Sequence, residues 1–309
     1  MKNENVSRRR FIGVGMLATA GIALTSKTSF AKSLFTRSKV NSKINGVQIG
    51  VITYSFRSMP STIDDLLKYC VECNINAVEL MGDAAEAYAG APKRDGSADY
   101  AATLAQWREN TLMDPFIEIR KKFNDQGINI YAWKPNALGV KNTDGEINYA
   151  FAAGKALGCT HVTVEMPEDA LQTQRLGDLA EKADMMVGYH AHLQATPTLW
   201  DVAIGQNSHN GINLDIGHYT AGTSTSPIDF IKKNHKHILS MHLKDRKYHD
   251  GPNMPWGQGD TPIKEVLVLM KNEGYKWPAT IEFEYPVPAG SDAVKEVIKC
   301  REYAKAALA

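Results

Sequence analysis

Eight short runs of β-branched and bulky apolar residues punctuate the chain: "VQIGVITY", "NAVELMG", "INIYAWK", "THVTVEM", "MMVGYHAH", "GINLDIG", "HILSMHLKD" and "PATIEFEY". Between and after them lie stretches whose apolar residues recur at helical spacing: "STIDDLLKYCVEC", "LMDPFIEIRKKFNDQG", "EINYAFAAGKALG", "RLGDLAEKA", "TPTLWDVAIG", "SPIDFIKKN", "TPIKEVLVLMKNEG" and "SDAVKEVIKCREYAKAAL". Near-continuous apolar runs of this length predict buried strands, and the 3.6-residue period predicts amphipathic helices. Ser, Thr, Asp or Pro precedes many of the helical stretches and Gly ends several, as helix capping requires. Strict alternation of strand and helix implies a parallel sheet. Eight of each favour a closed (β/α)8 TIM barrel in a single domain over an open sheet. An open doubly wound sheet would need a Gly-rich phosphate turn after its first strand, and "TYSFRSMPS" is nothing like one. Residues 83–110 exceed an ordinary strand-to-helix connection and read as a loop insertion over the barrel mouth, holding a short helix.

The pattern breaks at the N-terminus. A basic segment from Ser7 to Gly13, an apolar run "VGMLATAGIALT" and a small-x-small site ending at Ala31 predict a signal peptide over residues 1–31. Its Ser-Arg-Arg-x-Phe cluster resembles the twin-arginine type, which implies export to the periplasm of a chain already folded. Residues 32–45 then form a polar lead-in and residues 46–309 the barrel domain. The apolar run is short for a membrane span, so no stable membrane insertion is expected after cleavage. A formal net charge of +1 gives no general attraction to nucleic acid. Four cysteines are too few to staple a domain of this size. Cys70 and Cys73 make a C-x-x-C, but they fall inside a helical pattern with no second pair, and read as ordinary helix residues.

Chemistry enters at the strand ends, where a barrel of this kind keeps its active site. Strand four ends in Glu165, strand five in His190 and His192, strand six in Asp215 and strand seven in His242; strand eight carries Glu282 and Glu284. Five successive strands broken by a polar group near the C-terminal end are hard to explain by packing. Three carboxylates and an imidazole converging on one point would repel unless a cation lay among them. Such a donor set suits Mn2+, Mg2+ or Co2+, with Zn2+ also compatible.

In the order "VTVEMP", "YHAH", "LDIGHY", "MHLKDR" and "TIEFEY", these motifs resemble the sugar phosphate isomerase/epimerase family of the xylose-isomerase-like TIM barrels, in particular its ketose 3-epimerase and inosose dehydratase group. The resemblance covers essentially the whole barrel domain. It implies one divalent metal held by Glu165, Asp215, His242 and Glu282, with Glu165 and Glu282 doubling as the catalytic acid/base pair. Glu282 is preferred to Glu284 because it lies seven residues after Tyr275, as in the family motif. His218, three residues after Asp215, would face the substrate.

Further substrate-binding candidates are His190, Lys244, Arg246 and Trp133, with Lys134 beside it; Glu79 would line the floor of the site, and "PWGQGDTP" reads as a structural loop. The expected activity is a metal-dependent sugar isomerisation or epimerisation through an enediolate, on a keto-sugar or cyclitol. A lyase or hydratase acting on 3-keto-glycosides or inososes would use the same site. A non-catalytic periplasmic sugar-binding protein is the third reading. A related metal-dependent nuclease would need histidines on strands two and three, which end in "VELMG" and "YAWKP". The partner is a small-molecule sugar, and homo-oligomerisation is left open.

Overall fold

The structure is a computed structural model that describes residues 39–309; the expected signal peptide at residues 1–31 and the first part of the lead-in lie outside the described residues. Eight parallel strands follow in chain order: β1 (Val47–Ile52), β2 (Ala77–Met81), β3 (Asn129–Lys134), β4 (His161–Glu165), β5 (Met186–His190), β6 (Asn210–Asp215), β7 (Ile238–Leu243) and β8 (Ala279–Ile281). Each pairs with the next, and β8 pairs with β1, so the barrel closes. Within the segment read as lead-in, Lys43–Ile44 already pairs antiparallel with β1.

The outer layer consists of α1 (Ile63–Glu72), α2 (Gly82–Tyr88), α3 (Tyr100–Asn110), α4 (Asp114–Asp125), α5 (Asp144–Leu157), α6 (Ala170–Ala183), α7 (Asp201–Gln206), α8 (Ile216–Thr223), α9 (Ile228–Asn234), α10 (Ile263–Glu273) and α11 (Ala293–Leu308). Among the described residues, no helix is long and apolar enough to cross a membrane. Capping boxes start α1 (Thr62 with Asp65) and α5 (Thr143 with Glu146), each satisfying two backbone donors. Cys70 and Cys73 are free thiols buried against the sheet.

Two segments differ from the sequence expectation. The insertion at 83–110 holds two helices, α2 and α3, and a buried guanidinium pins them down. Arg108 reaches Glu86 on α2 at 2.8 Å and Glu146 on α5 at 2.9 Å. The chain also turns directly from β6 into α8, because Asp215 caps that helix by accepting from the His218 amide at 2.7 Å. The Gly-rich loop is structural, as expected. Asp245 draws it in by accepting from the amides of Gly257, Gly259 and Thr261 at 2.7, 2.9 and 3.2 Å.

The outer faces of the strands pack on the helices with residues such as Ile49, Val187, Leu214 and Met241, all fully buried. The inner faces are polar. Phase within each strand decides which side chain goes where, and two register shifts change it. One lies between β2 and β3, where Glu79 pairs with Ala132 and Tyr131 is skipped; the other is between β6 and β7 at Ile212/Asn213. The first turns the Tyr131 hydroxyl inward, to Thr280 at 2.6 Å, and sends the Trp133 ring outward, against Phe116 and Tyr149.

Gly217, in the first turn of α8, packs against the backbone just after β7. A Cβ there would stand 2.6 Å from the Lys244 carbonyl oxygen, which is backbone and cannot swing away. Gly217→Ala is therefore expected to cost about 1–3 kcal/mol. Urea denaturation checks this, and an unchanged midpoint would mean that α8 and the end of β7 separate freely.

Candidate active site

The site grows from a carboxylate at the barrel axis. Glu79 on β2 is fully buried. It accepts from Thr163 of β4 at 2.6 Å, Tyr131 of β3 at 3.2 Å, Asn213 of β6 at 3.3 Å, and pairs with His242 Nε2 of β7 at 2.7 Å. Burial alone would raise its pKa, but the His242 charge and the hydrogen bonds outweigh burial and hold it at about 2. Burial alone would lower the His242 pKa, yet the carboxylates of Glu79 and Glu282 push it up to about 10.

Above this floor, His190, Asp215, His242 and Glu282 converge. One donor atom from each lies within 4.8 Å of the others, and all four residues are buried. Each also has one buried side-chain atom without an aligned hydrogen bond: His190 Nδ1, Asp215 Oδ2, His242 Nδ1 and Glu282 Oε2, the last two standing 3.0 Å apart as an ion pair. Buried polar atoms are normally satisfied, so four atoms left unaligned in one cluster, mixing imidazole nitrogen with carboxylate oxygen, fit a divalent cation. Lys244 partly offsets the negative charge. Its Nζ lies 3.0 Å from Asp215, 2.9 Å from Glu282 and 2.5 Å from Glu284. For Asp215 and Glu282 these are ion-pair contacts without hydrogen-bond alignment.

His218 stands between two cations. Its Nδ1 is 2.7 Å from Arg246, itself anchored on the Gly251 carbonyl, and its Nε2 is 2.9 Å from Lys244. Burial, reinforced by Lys244, lowers its pKa to about 2 and keeps the ring neutral. A neutral imidazole accepts at only one nitrogen. The ring can therefore accept from only one of the two cations, Arg246 or Lys244.

Most of the sequence candidates meet here, with two exceptions. Glu165 is not in the four-residue cluster; His190 is. Glu165 lies at the rim, half exposed, where Lys134 holds it at 2.5 Å and His192 at 3.3 Å. Burial raises its pKa, but His192 and Lys134 prevail and bring it to about 2. Trp133 does not face the site at all, because the β2–β3 register shift sends it into the outer core. Its neighbour Lys134 faces the site instead. Glu282 enters the cluster and Glu284 stays on Lys244.

Sequence reading missed the polar lining of the barrel: Tyr131, His161, Thr163, Asn213, Ser240 and Thr280. The available signal was their inward phase on strands read as purely apolar.

The sequence profile described as "Xylose isomerase-like TIM barrel" matches residues 67–303, and the chain belongs to that family. The L-ribulose-5-phosphate 3-epimerase UlaE of Shigella boydii serotype 18 is 30% identical over 95 residues, which is 31% of this chain and 32% of that protein. The chain thus aligns with about a third of the length of that relative. Among solved structures, a D-tagatose 3-epimerase-like protein superposes with a TM-score of 0.59 at 17% identity, covering 85% of this chain and 97% of the other. The IolI protein with a bound zinc atom gives a TM-score of 0.61 at 15% identity, covering 85% and 98%. A sugar phosphate isomerase/epimerase from Parabacteroides distasonis gives 0.59 at 16%, covering 84% and 94%. At these identities the structural likeness establishes the fold.

The shifted histidines predict a pH optimum for the stability of the metal-stripped protein. Burial lowers His161 to about 4 and His218 to about 2, and lowers His190 well below the ordinary imidazole value. As pH falls below the ordinary imidazole value near 6.5, the unfolded chain binds protons that these folded rings refuse, and stability declines. As pH rises from 6.5 towards 10, folded His242 keeps a proton that the unfolded chain loses, and stability declines again. Denaturation midpoints with chelator at pH 5, 6.5 and 8.5 should therefore peak in the middle; a steady rise across the series would contradict this balance.

Proposed function

We propose that this protein is a divalent-metal-dependent isomerase or epimerase acting on a keto-sugar or cyclitol, exported to the periplasm by its twin-arginine-type N-terminus. The observation that carries the reading is the set of four donors without aligned hydrogen bonds on His190, Asp215, His242 and Glu282. These residues would hold the metal, with Mn2+ favoured by the mixed oxygen and nitrogen set and Mg2+, Co2+ and Zn2+ compatible. When bound, the metal supplies Lewis acidity that lowers the cost of removing a proton beside a carbonyl.

The chain's own residues do the rest. Glu79 fixes the His242 ring through Nε2 and leaves Nδ1 directed at the cluster, as an outer carboxylate does for a ligating histidine. Glu165, ionised and open to the barrel mouth, takes the proton on one face; Glu282, from the opposite side of the barrel, serves the other. Lys244, Arg246 and His218 present donors that orient substrate hydroxyls. A second reading, a lyase or hydratase on 3-keto-glycosides or inososes, is favoured by His192. The Glu165 carboxylate raises its pKa, which suits it to protonate a leaving group.

Three outcomes test the proposal. EDTA abolishes turnover on a panel of ketoses, cyclitols and 3-keto-glycosides, and single divalent metals restore it; sugar binding without metal-dependent turnover would sink the enzyme reading. His190→Asn and Asp215→Ala lose bound metal by elemental analysis, whereas Glu165→Gln retains it and loses at least about a hundred-fold in kcat. Loss of metal from Glu165→Gln would instead make Glu165 a ligand. Glu79→Gln weakens metal affinity by about 10–100-fold in competition with a chelating dye, and unchanged affinity would remove Glu79 from its orienting role.

A further inference from the structure

A second cleft of about 730 Å3 opens beside the site, between the connections that follow β3 and β4. Lys134 and Glu165 belong to both. From Glu165 the contacts run through His192, which is stacked on His218 at 4.5 Å, to Lys244 and the buried cluster. The cleft thus adjoins the reacting centre through Lys134 and Glu165, on loops that set specificity in this fold. Its volume lies within the range of pockets that enclose drug-sized ligands, more than a single sugar ring requires.

The chemistry of its lining narrows the occupant. One wall is aliphatic, formed by Leu138, Val140, Val164 and Met166, and Val140 is 59% exposed with nothing covering it. The charges are Glu165, Glu168 and Asp169 against Lys134, which Glu165 already neutralises. That excess of carboxylates repels a phosphate. The amides nearby are already used. Asn142 accepts from the Gly139 amide and donates to Glu146; Gln172 donates to the Leu138 carbonyl and accepts from Arg175; Asn136 donates to Asp83. A second sugar ring, rich in hydroxyls, would find few free partners there, whereas an apolar group loses none.

We propose that this cleft is an aglycone subsite, and that the working substrate is a glycoside whose sugar ring lies at the polar cluster and whose uncharged aryl or alkyl substituent lies against Val140 and Met166. This rests on the sugar-converting reading above and adds the substrate class.

Equilibrium binding separates the two claims, because it needs no turnover. Unreacted phenyl and methyl glycosides of the same sugar, and the corresponding sugar phosphate, are titrated against the metal-loaded protein by calorimetry. The phenyl glycoside should bind about ten-fold more tightly than the methyl glycoside, and the phosphate more weakly than either. In Val140→Asp, and separately in Met166→Gln, the phenyl preference should shrink at least about three-fold. Equal binding of phenyl and methyl glycosides, tighter binding of the phosphate, or a preference that survives both variants overturns the subsite, even if ketoses are turned over. A phenyl preference lost in both variants sustains it, even if no sugar in the panel reacts, in which case it is the activity reading that fails.

Discussion

One buried ion pair, Glu79 with His242, carries the centre of this barrel. A carboxylate at the axis would cost several kcal/mol if left alone. It is stabilised because β3, β4, β6 and β7 each bring a donor to it, so five strands, counting its own, meet at one side chain. A one-residue slip of any of them would carry its donor to the outer face and leave Glu79 short of a partner. The pair therefore acts on register as much as on energy. Buried ionic groups add little to stability compared with a well-packed apolar core, but here they penalise every misaligned barrel.

The same pair prepares the site above it. Because Nε2 of His242 is committed to Glu79, Nδ1 is the only ring atom left to face Asp215, Glu282 and His190. The two register shifts complete the arrangement. The shift at Tyr131 frees Lys134 to point at Glu165, and the second, which skips Leu239 on β7, sets Ser240 and His242 opposite the inward-facing Asn213 and Asp215. Small irregularities in strand pairing thus decide which of two neighbouring residues becomes part of the chemistry.

That is also where the sequence was legible and where it was not. The eight strands, their order and the barrel could be read because apolar periodicity and capping are local signals. Asp215, His242 and Glu282 could be read because a charged residue in an apolar run is conspicuous. Trp133 could not be placed, since its orientation depends on a bulge set by how two distant strands pair. Glu165 lies at the rim and His190 within the buried cluster for a related reason. Both end their strands, but β4 stops at the rim, where Lys134 and His192 capture Glu165, while His190 remains inside. Thr163, Asn213, Ser240 and Thr280 passed for strand formers because their polarity matters only once the barrel has closed around Glu79.

Charge balance gives the strongest argument for what the cluster is for. Among the described residues, Glu79, Asp215, Glu282 and Glu284 are in ion-pair contact with two cations, His242 and Lys244. The shortfall shows in Asp215, whose pKa burial raises despite Lys244 beside it. The surrounding histidines cannot make it up, since burial holds His190 and His218 neutral. A divalent ion among the cluster's donor atoms would offset that deficit of two charges, less the one that leaves with the His242 proton. It would also release the proton of His242, since a ligating nitrogen must give up its proton, and Glu79 would then accept a neutral N–H in place of a charged one. The floor that sets the register of the barrel would remain intact while the chemistry above it changed charge.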